Sequence, residues 1–194
     1  MNRLSFRCFV ALAGAGITML APALAGAQEY AAPPPSSEFG TGTLHTYLET
    51  RIGAATFAQK SAGYGPSLNL AYGMGFSWID VGAVGSFSMI PNSSTSTSAY
   101  QYSLGPEIAT RTSIGGGMTF RFGVDPLYTL QTFDGQTTSM VGVDGLAQFL
   151  FTLDDTSKPV WRAGVGLHGG RRWPTSGGDG VWMVGADLII RTWW

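Results

Sequence analysis

SLNLAYGMGFSW, residues 67–78, alternates without a break. Leu68, Leu70, Tyr72, Met74, Phe76 and Trp78 are large and apolar, whereas Ser67, Asn69, Ala71, Gly73, Gly75 and Ser77 are small or polar. Successive side chains on an extended chain point to opposite faces, so the stretch predicts a strand with one greasy face and one small, polar face. The pattern recurs down the chain to the terminal Trp193-Trp194. A two-residue period repeated over strands of about ten residues is the signature of a bacterial outer-membrane barrel.

Working outward from this stretch gives eight strand-like segments. The first, about 43–57, sets Leu44, Leu48, Ile52 and Ala54 against His45, Glu49 and Arg51. The second is 65–77, and the third, 79–90, puts out Ile79, Val81, Ala83, Phe87 and Met89. Pro91-Asn92 and the Ser/Thr run through Ser98 predict an exposed loop. The fourth, 99–110, ends in a short turn at Thr110-Arg111-Thr112. The fifth, 113–132, has Asp125-Pro126 where its regular part is expected to bend or end. Asp134-Gly135 is a turn signal. The sixth spans 138–153, with Leu146 and Leu150 on its otherwise polar face. The seventh spans 160–168 and is followed by a loop over Gly169–Gly180, and the last spans 181–194. An even strand number puts both chain ends on one rim, with short turns there and longer loops opposite.

Alternation does not say which face is outside, since a soluble ligand-holding barrel has eight strands with its apolar parity inward. Charge decides. A soluble exterior needs many charged residues, about 25% of a typical domain; here 12% of the chain is charged. The polar parity is mostly Gly, Ser, Thr and Asn, which suits a narrow lumen rather than a soluble surface. The greasy parity is therefore assigned to lipid. Phe76, Trp78, Phe151, Trp161 and Trp194 gather toward the short-turn rim, and Phe87, Tyr100, Tyr102 and Trp182 toward the other. Two such belts are expected where rings sit at the membrane interfaces.

The N-terminus reads as an export segment. Arg3 and Arg7 precede an apolar stretch from Phe9 to Leu20, and Ala25-Gly26-Ala27 fits cleavage after Ala27, with Ala25 as the alternative. Residues 1–27 are thus expected to be a signal peptide, 28–42 a Pro/Ser-rich periplasmic lead-in, and 43–194 the barrel. Cys8, the single cysteine, falls within the export segment, so no disulfide is expected in the barrel. Removing residues 1–27 takes two of the eleven Lys+Arg and none of the twelve Asp+Glu, leaving a net charge of −3. This balance argues against nucleic-acid binding. There is no Cys/His metal set, P-loop or dinucleotide fingerprint, so no metal or cofactor is expected.

The polar parity gathers nine charges: Glu49, Arg51, Asp80, Glu107, Arg121, Asp144, Arg162, Asp187 and Arg191. Arginine's planar fork suits carboxylates in a confined space, and unpaired charges there are costly, so a mutually paired lumen network is expected. His168, Ser176 and Asp179 can be drawn as a hydrolase triad, but a triad is defined by geometry that a sequence does not supply. Arg171-Arg172-Trp173, in the loop after the seventh segment, offers contacts to lipopolysaccharide phosphates.

Across residues 43–194 the chain resembles the small eight-stranded outer-membrane proteins of the OmpA-barrel/OmpX type. The most specific part is the last strand, where Leu188, Ile190 and the terminal aromatic Trp194 resemble the signal read by the barrel-assembly machinery. It departs in ending on Trp where Phe is usual, and in carrying Thr192 where an apolar residue is common. Lipid A deacylases of the same barrel class are similar in size, but their His-x-Ser pattern is absent, since His168 is followed by Gly169-Gly170. The resemblance implies residence in the outer membrane amid lipid and lipopolysaccharide, and a non-enzymatic role in envelope integrity, surface interaction or adhesion. A narrow channel for small solutes is the alternative, and a lipid A-modifying hydrolase a more distant one.

Overall fold

A computed structural model describes residues 44–58, 62–92, 97–154 and 159–194 of the 194-residue chain. The export segment, its cleavage point and the lead-in lie outside the described residues. Eight strands follow one another: β1 (Leu44–Phe57), β2 (Gly65–Phe76), β3 (Ile79–Pro91), β4 (Ser98–Gly115), β5 (Met118–Phe133), β6 (Gln136–Asp154), β7 (Val160–Pro174) and β8 (Val181–Trp193). Each pairs antiparallel with its neighbour in sequence, and β1 pairs with β8 from Tyr47↔Trp193 to Phe57↔Met183. The sheet is thus a closed up-and-down barrel, in which no strand edge is left unpaired. The all-β, eight-stranded fold expected from the two-residue period is the one observed.

Side chains divide by parity. In β2, Ser67, Asn69, Ala71, Gly73 and Gly75 are buried in the interior, while Leu70, Tyr72, Met74 and Phe76 are exposed outside. The exterior also carries Leu104, Ile108, Phe122, Tyr128, Leu167, Leu188 and Ile190. Such a continuous apolar surface is far larger than a water-facing monomer ordinarily shows.

Three strand boundaries differ from the sequence reading. The chain does not turn at Thr110-Arg111-Thr112: β4 runs on to Gly115 and reverses through Gly116-Gly117, where Gly115, Gly116 and Gly117 all adopt positive φ. Glycine takes that conformation without steric cost, which fixes the reversal at this run. β5 does not end at Asp125-Pro126. Pro126 lies in mid-strand with its ring outward, and by register it faces Pro106 of β4. Neither proline has an N–H to give the ladder, so pairing lapses between Leu104↔Tyr128 and Ile108↔Val124 and resumes unshifted. β7 extends to Pro174, so Arg171, Arg172 and Trp173 belong to a strand, and the loop shrinks to residues 175–180.

The rim bearing the chain ends, here the turn rim, holds the reversals after β2, β4 and β6; the loop rim holds those after β1, β3, β5 and β7. Loop lengths do not alternate throughout. β5 and β6 join on the loop rim through Asp134-Gly135 alone, both at positive φ as a two-residue hairpin turn requires.

Candidate functional site

The interior is where this chain concentrates its chemistry. Eight strands leave a lumen just wide enough to be filled by side chains, and glycines set how large those can be. A β-carbon on Gly73 or Gly82, which face each other across β2 and β3, would come within 2.7 or 2.5 Å of the Tyr47 hydroxyl. The missing side chains leave the space that the Tyr47 hydroxyl occupies.

At mid-height four arginines meet four carboxyl groups. Arg121 binds Asp80 through Nε (2.8 Å) and Glu107 through Nη2 (2.5 Å), and lies 3.7 Å from Glu49. Arg191 spans Glu49 (2.8 Å) and Asp80 (2.6 Å). Arg51 joins Glu49 (2.5 Å), Glu107 and Asp125 (3.5 Å), and Arg111 joins Asp80. The Tyr47 hydroxyl donates to Glu107 Oε1 (2.9 Å) while the ring lies under the Arg191 guanidinium, 3.9 Å from its centroid. Gln148 donates to Glu49 (2.7 Å) and accepts from Arg121 (3.0 Å). All these charged groups are buried.

Several of the pairs bridge strands that are not neighbours in the sheet. Arg121 of β5 reaches β1, β3 and β4, and Arg191 of β8 reaches β3. Direct cross-strand neighbours often share a sign: Arg111 faces Arg121, Asp125 faces Asp144, and Arg162 faces Arg191. Like charges directly opposite destabilise a sheet, so these positions depend on partners elsewhere: Asp80 of adjacent β3 for Arg111, Arg172 of adjacent β7 for Asp144, and Arg51 of β1, across the interior, for Asp125.

Two smaller groups lie toward the loop rim. Arg172 binds Asp144 (2.7 Å) and donates to Thr129 (3.2 Å) and the Met183 sulfur (3.0 Å). His168 Nδ1 meets Asp187 Oδ2 at 2.7 Å, and Ser67 donates to the other oxygen of Asp187 at 3.4 Å. Aromatic and apolar side chains lie inside the barrel toward both rims. At the turn rim Trp193 points inward, with Arg162 4.2 Å from its ring centroid and His45 edge-on at 5.1 Å. At the loop rim Ala55, Phe57, Ile90, Ala99 and Met183 form an apolar cluster.

All nine charges assigned to the lumen by parity therefore point inward, but they do not form one network. Glu49, Arg51, Asp80, Glu107, Arg121 and Arg191 share the central cluster. Asp144 and Asp187 belong to the outer groups, and Arg162 turns to Trp193 and Thr119. Sequence reasoning missed Tyr47, Arg111, Asp125 and Arg172; the period-two count reaches Tyr47 and Asp125 within their segments and, carried past the expected turns, Arg111 and Arg172. The drawn triad does not assemble. Ser176 and Asp179 are exposed in the loop after β7, and the carboxylate partner of His168 is Asp187. In the His168–Asp187–Ser67 group the hydroxyl donates to the carboxylate and not to the imidazole. Among the described residues, no group of His, Cys, Asp and Glu is placed to hold a metal.

The Arg172–Asp144 pair allows a clean test of coupling. Arg172→Met strands a carboxylate opposite Asp125, whereas Arg172→Met with Asp144→Leu removes both charges. The double variant should show a favourable coupling of about 1–3 kcal/mol in a urea-unfolding cycle. Simple additivity would mean that the contact carries no energy.

An outward greasy belt around a packed, charged interior defines this chain as a small eight-stranded outer-membrane-type β-barrel. Solved structures with this fold include Neisserial surface protein A (NspA), 13% identical, with a TM-score of 0.56 over 77% of this chain and 96% of that one. The outer membrane protein OprG from Pseudomonas aeruginosa superposes more loosely, at 12% identity and a TM-score of 0.45 over 80% of this chain and 98% of that one. At such identities the likeness is one of fold. No family model and no curated protein matches the sequence.

Proposed function

We propose that the protein is a non-enzymatic resident of the bacterial outer membrane whose lumen is plugged, and that it serves envelope integrity, surface interaction or adhesion. The observation that carries this reading is the central cluster, in which Arg51, Arg111, Arg121 and Arg191 tie β1, β3, β4, β5 and β8 together across the interior. A water-filled path would have to part several buried ion pairs at once, each costly to break. The apolar exterior supports a lipid surrounding, since a closed barrel is one of two designs that satisfy every backbone polar group in a bilayer. The barrel-assembly machinery is the expected partner in biogenesis, reading Leu188, Ile190 and Trp194; in the fold Leu188 and Ile190 are exposed on the outer face of β8.

Two measurements test this. The protein from outer-membrane fractions should migrate differently on SDS gels before and after boiling, as a folded barrel does; an unchanged band in a soluble fraction would refute the membrane reading. Pure protein in planar bilayers should stay electrically silent. Steady single-channel openings would favour the narrow-conduit alternative.

A further inference from the structure

Among the strand residues whose side chains are described, Arg171 is the one charged group on the exterior of the barrel. Every other strand arginine, and every strand carboxylate whose side chain is described, points into the lumen. Even its neighbour Arg172 does so, so adjacent arginines serve opposite faces of β7. We propose that Arg171, with Trp173 and Trp182, binds a phosphate group of a surrounding lipid at the loop rim. This rests on the outer-membrane reading.

Depth is the first argument. From Trp161 to Arg171 is ten residues of β7, roughly 33 Å along the strand and about 25 Å along the barrel axis at a tilt near 40°. That is the expected height of the apolar band, with Trp161 at one edge and Arg171 at the other. A charge at mid-band is penalised, whereas near the interface the penalty falls to about 0–1 kcal/mol. Arg171 therefore sits at the level of lipid headgroups.

Its immediate setting is the second. Trp182 stands directly opposite on β8, and Trp173 is two residues along the same face. The guanidinium carbon lies 5.4 Å from the Trp173 ring centroid and 5.9 Å from that of Trp182. Rings at these distances attract and orient the cation without neutralising it. Gly180 closes over the stem, where a β-carbon would fall 2.9 Å from the arginine Nε and 2.8 Å from Trp173 Cδ1. That Nε is enclosed and makes no hydrogen bond within the protein, and no carboxylate among the described residues pairs with the group. The result is a held, uncompensated guanidinium fork, the geometry that favours bidentate contact with phosphate oxygens, between two rings suited to the interface.

The test is native mass spectrometry of the full folded chain in detergent, titrated separately with bisphosphorylated lipid A, the same lipid after enzymatic dephosphorylation, and phosphatidylglycerol. Wild type should bind the phosphorylated lipid A about tenfold more tightly than the dephosphorylated form, the effect of one charge-assisted contact. Arg171→Gln should abolish that difference, and Arg171→Lys, which keeps the charge but not the fork, should fall between. The phosphatidylglycerol titration identifies which lipid supplies the phosphate; an Arg171-dependent preference for either supports the site. Equal binding of phosphorylated and dephosphorylated lipid A together with phosphatidylglycerol binding that does not depend on Arg171, no effect of Arg171→Gln on any of the lipids, or full displacement by millimolar inorganic phosphate would each overturn it. Heat-modifiable migration of every variant reports folding independently, so failure of the membrane reading is distinguishable from failure of the phosphate site.

Discussion

Arg121→Met should destabilise the barrel by about 3–5 kcal/mol, the range for removing one partner of a buried ion pair. Arg121 is fully buried and sits within 4 Å of three carboxylates, those of Asp80, Glu107 and Glu49. Methionine fills comparable volume, so the loss would come from the stranded acids and not from a cavity. Adding Glu107→Gln to this variant should recover part of the loss, because it withdraws one unpaired charge. Urea unfolding in lipid vesicles, followed by the fraction of heat-modifiable protein, supplies both numbers. A single variant as stable as wild type would show that the cluster does not hold the fold.

Leu167→Arg separates a lipid-facing exterior from a water-facing one. Leu167 lies at the middle of β7 and is 66% exposed, with Ala147 and Ala186 as its cross-strand neighbours. In water a change at so open a position stays within about 0.5 kcal/mol. At the midplane of a bilayer an arginine on the outer face costs about 2–4 kcal/mol. The expected result is a loss in the second range in vesicles, read from the same unfolding curve. No change would place the greasy parity in water.

The fold was legible because one signal, the two-residue period, runs through nearly every strand. Strand ends were not legible, for a physical reason: the residues that mark turns also line a narrow lumen. Thr110, Arg111 and Thr112 read as a turn by composition, yet they continue β4, and Gly169-Gly170 reads as a loop yet carries β7 toward Arg172. Parity assigned each lumen charge to a face, but partners were beyond its reach. That Arg191 meets Asp80, 111 residues away, depends on how the barrel closes and tilts, and no local spacing encodes it. Arg171 shows the converse. Its sequence context suggested phosphate contacts from a loop, and the fold puts it on a strand, facing outward.

One seam of the barrel differs from the others. Wherever registered neighbours inside the barrel both carry full charge along consecutive strands, the signs match, as in Arg111↔Arg121, Asp125↔Asp144 and Arg162↔Arg191. Only where β8 meets β1 do opposite signs face each other, at Glu49↔Arg191. An open sheet of the same eight strands would keep every repulsion and lack this attraction. It would also lack the contacts that join β1 or β8 to strands across the interior, such as Arg51–Asp125 and Arg191–Asp80. Ring closure is consequently the event that turns the charge pattern from a burden into an adhesive, which gives this chain an all-or-none character: partly zipped forms gain little, and the sealed cylinder gains at once.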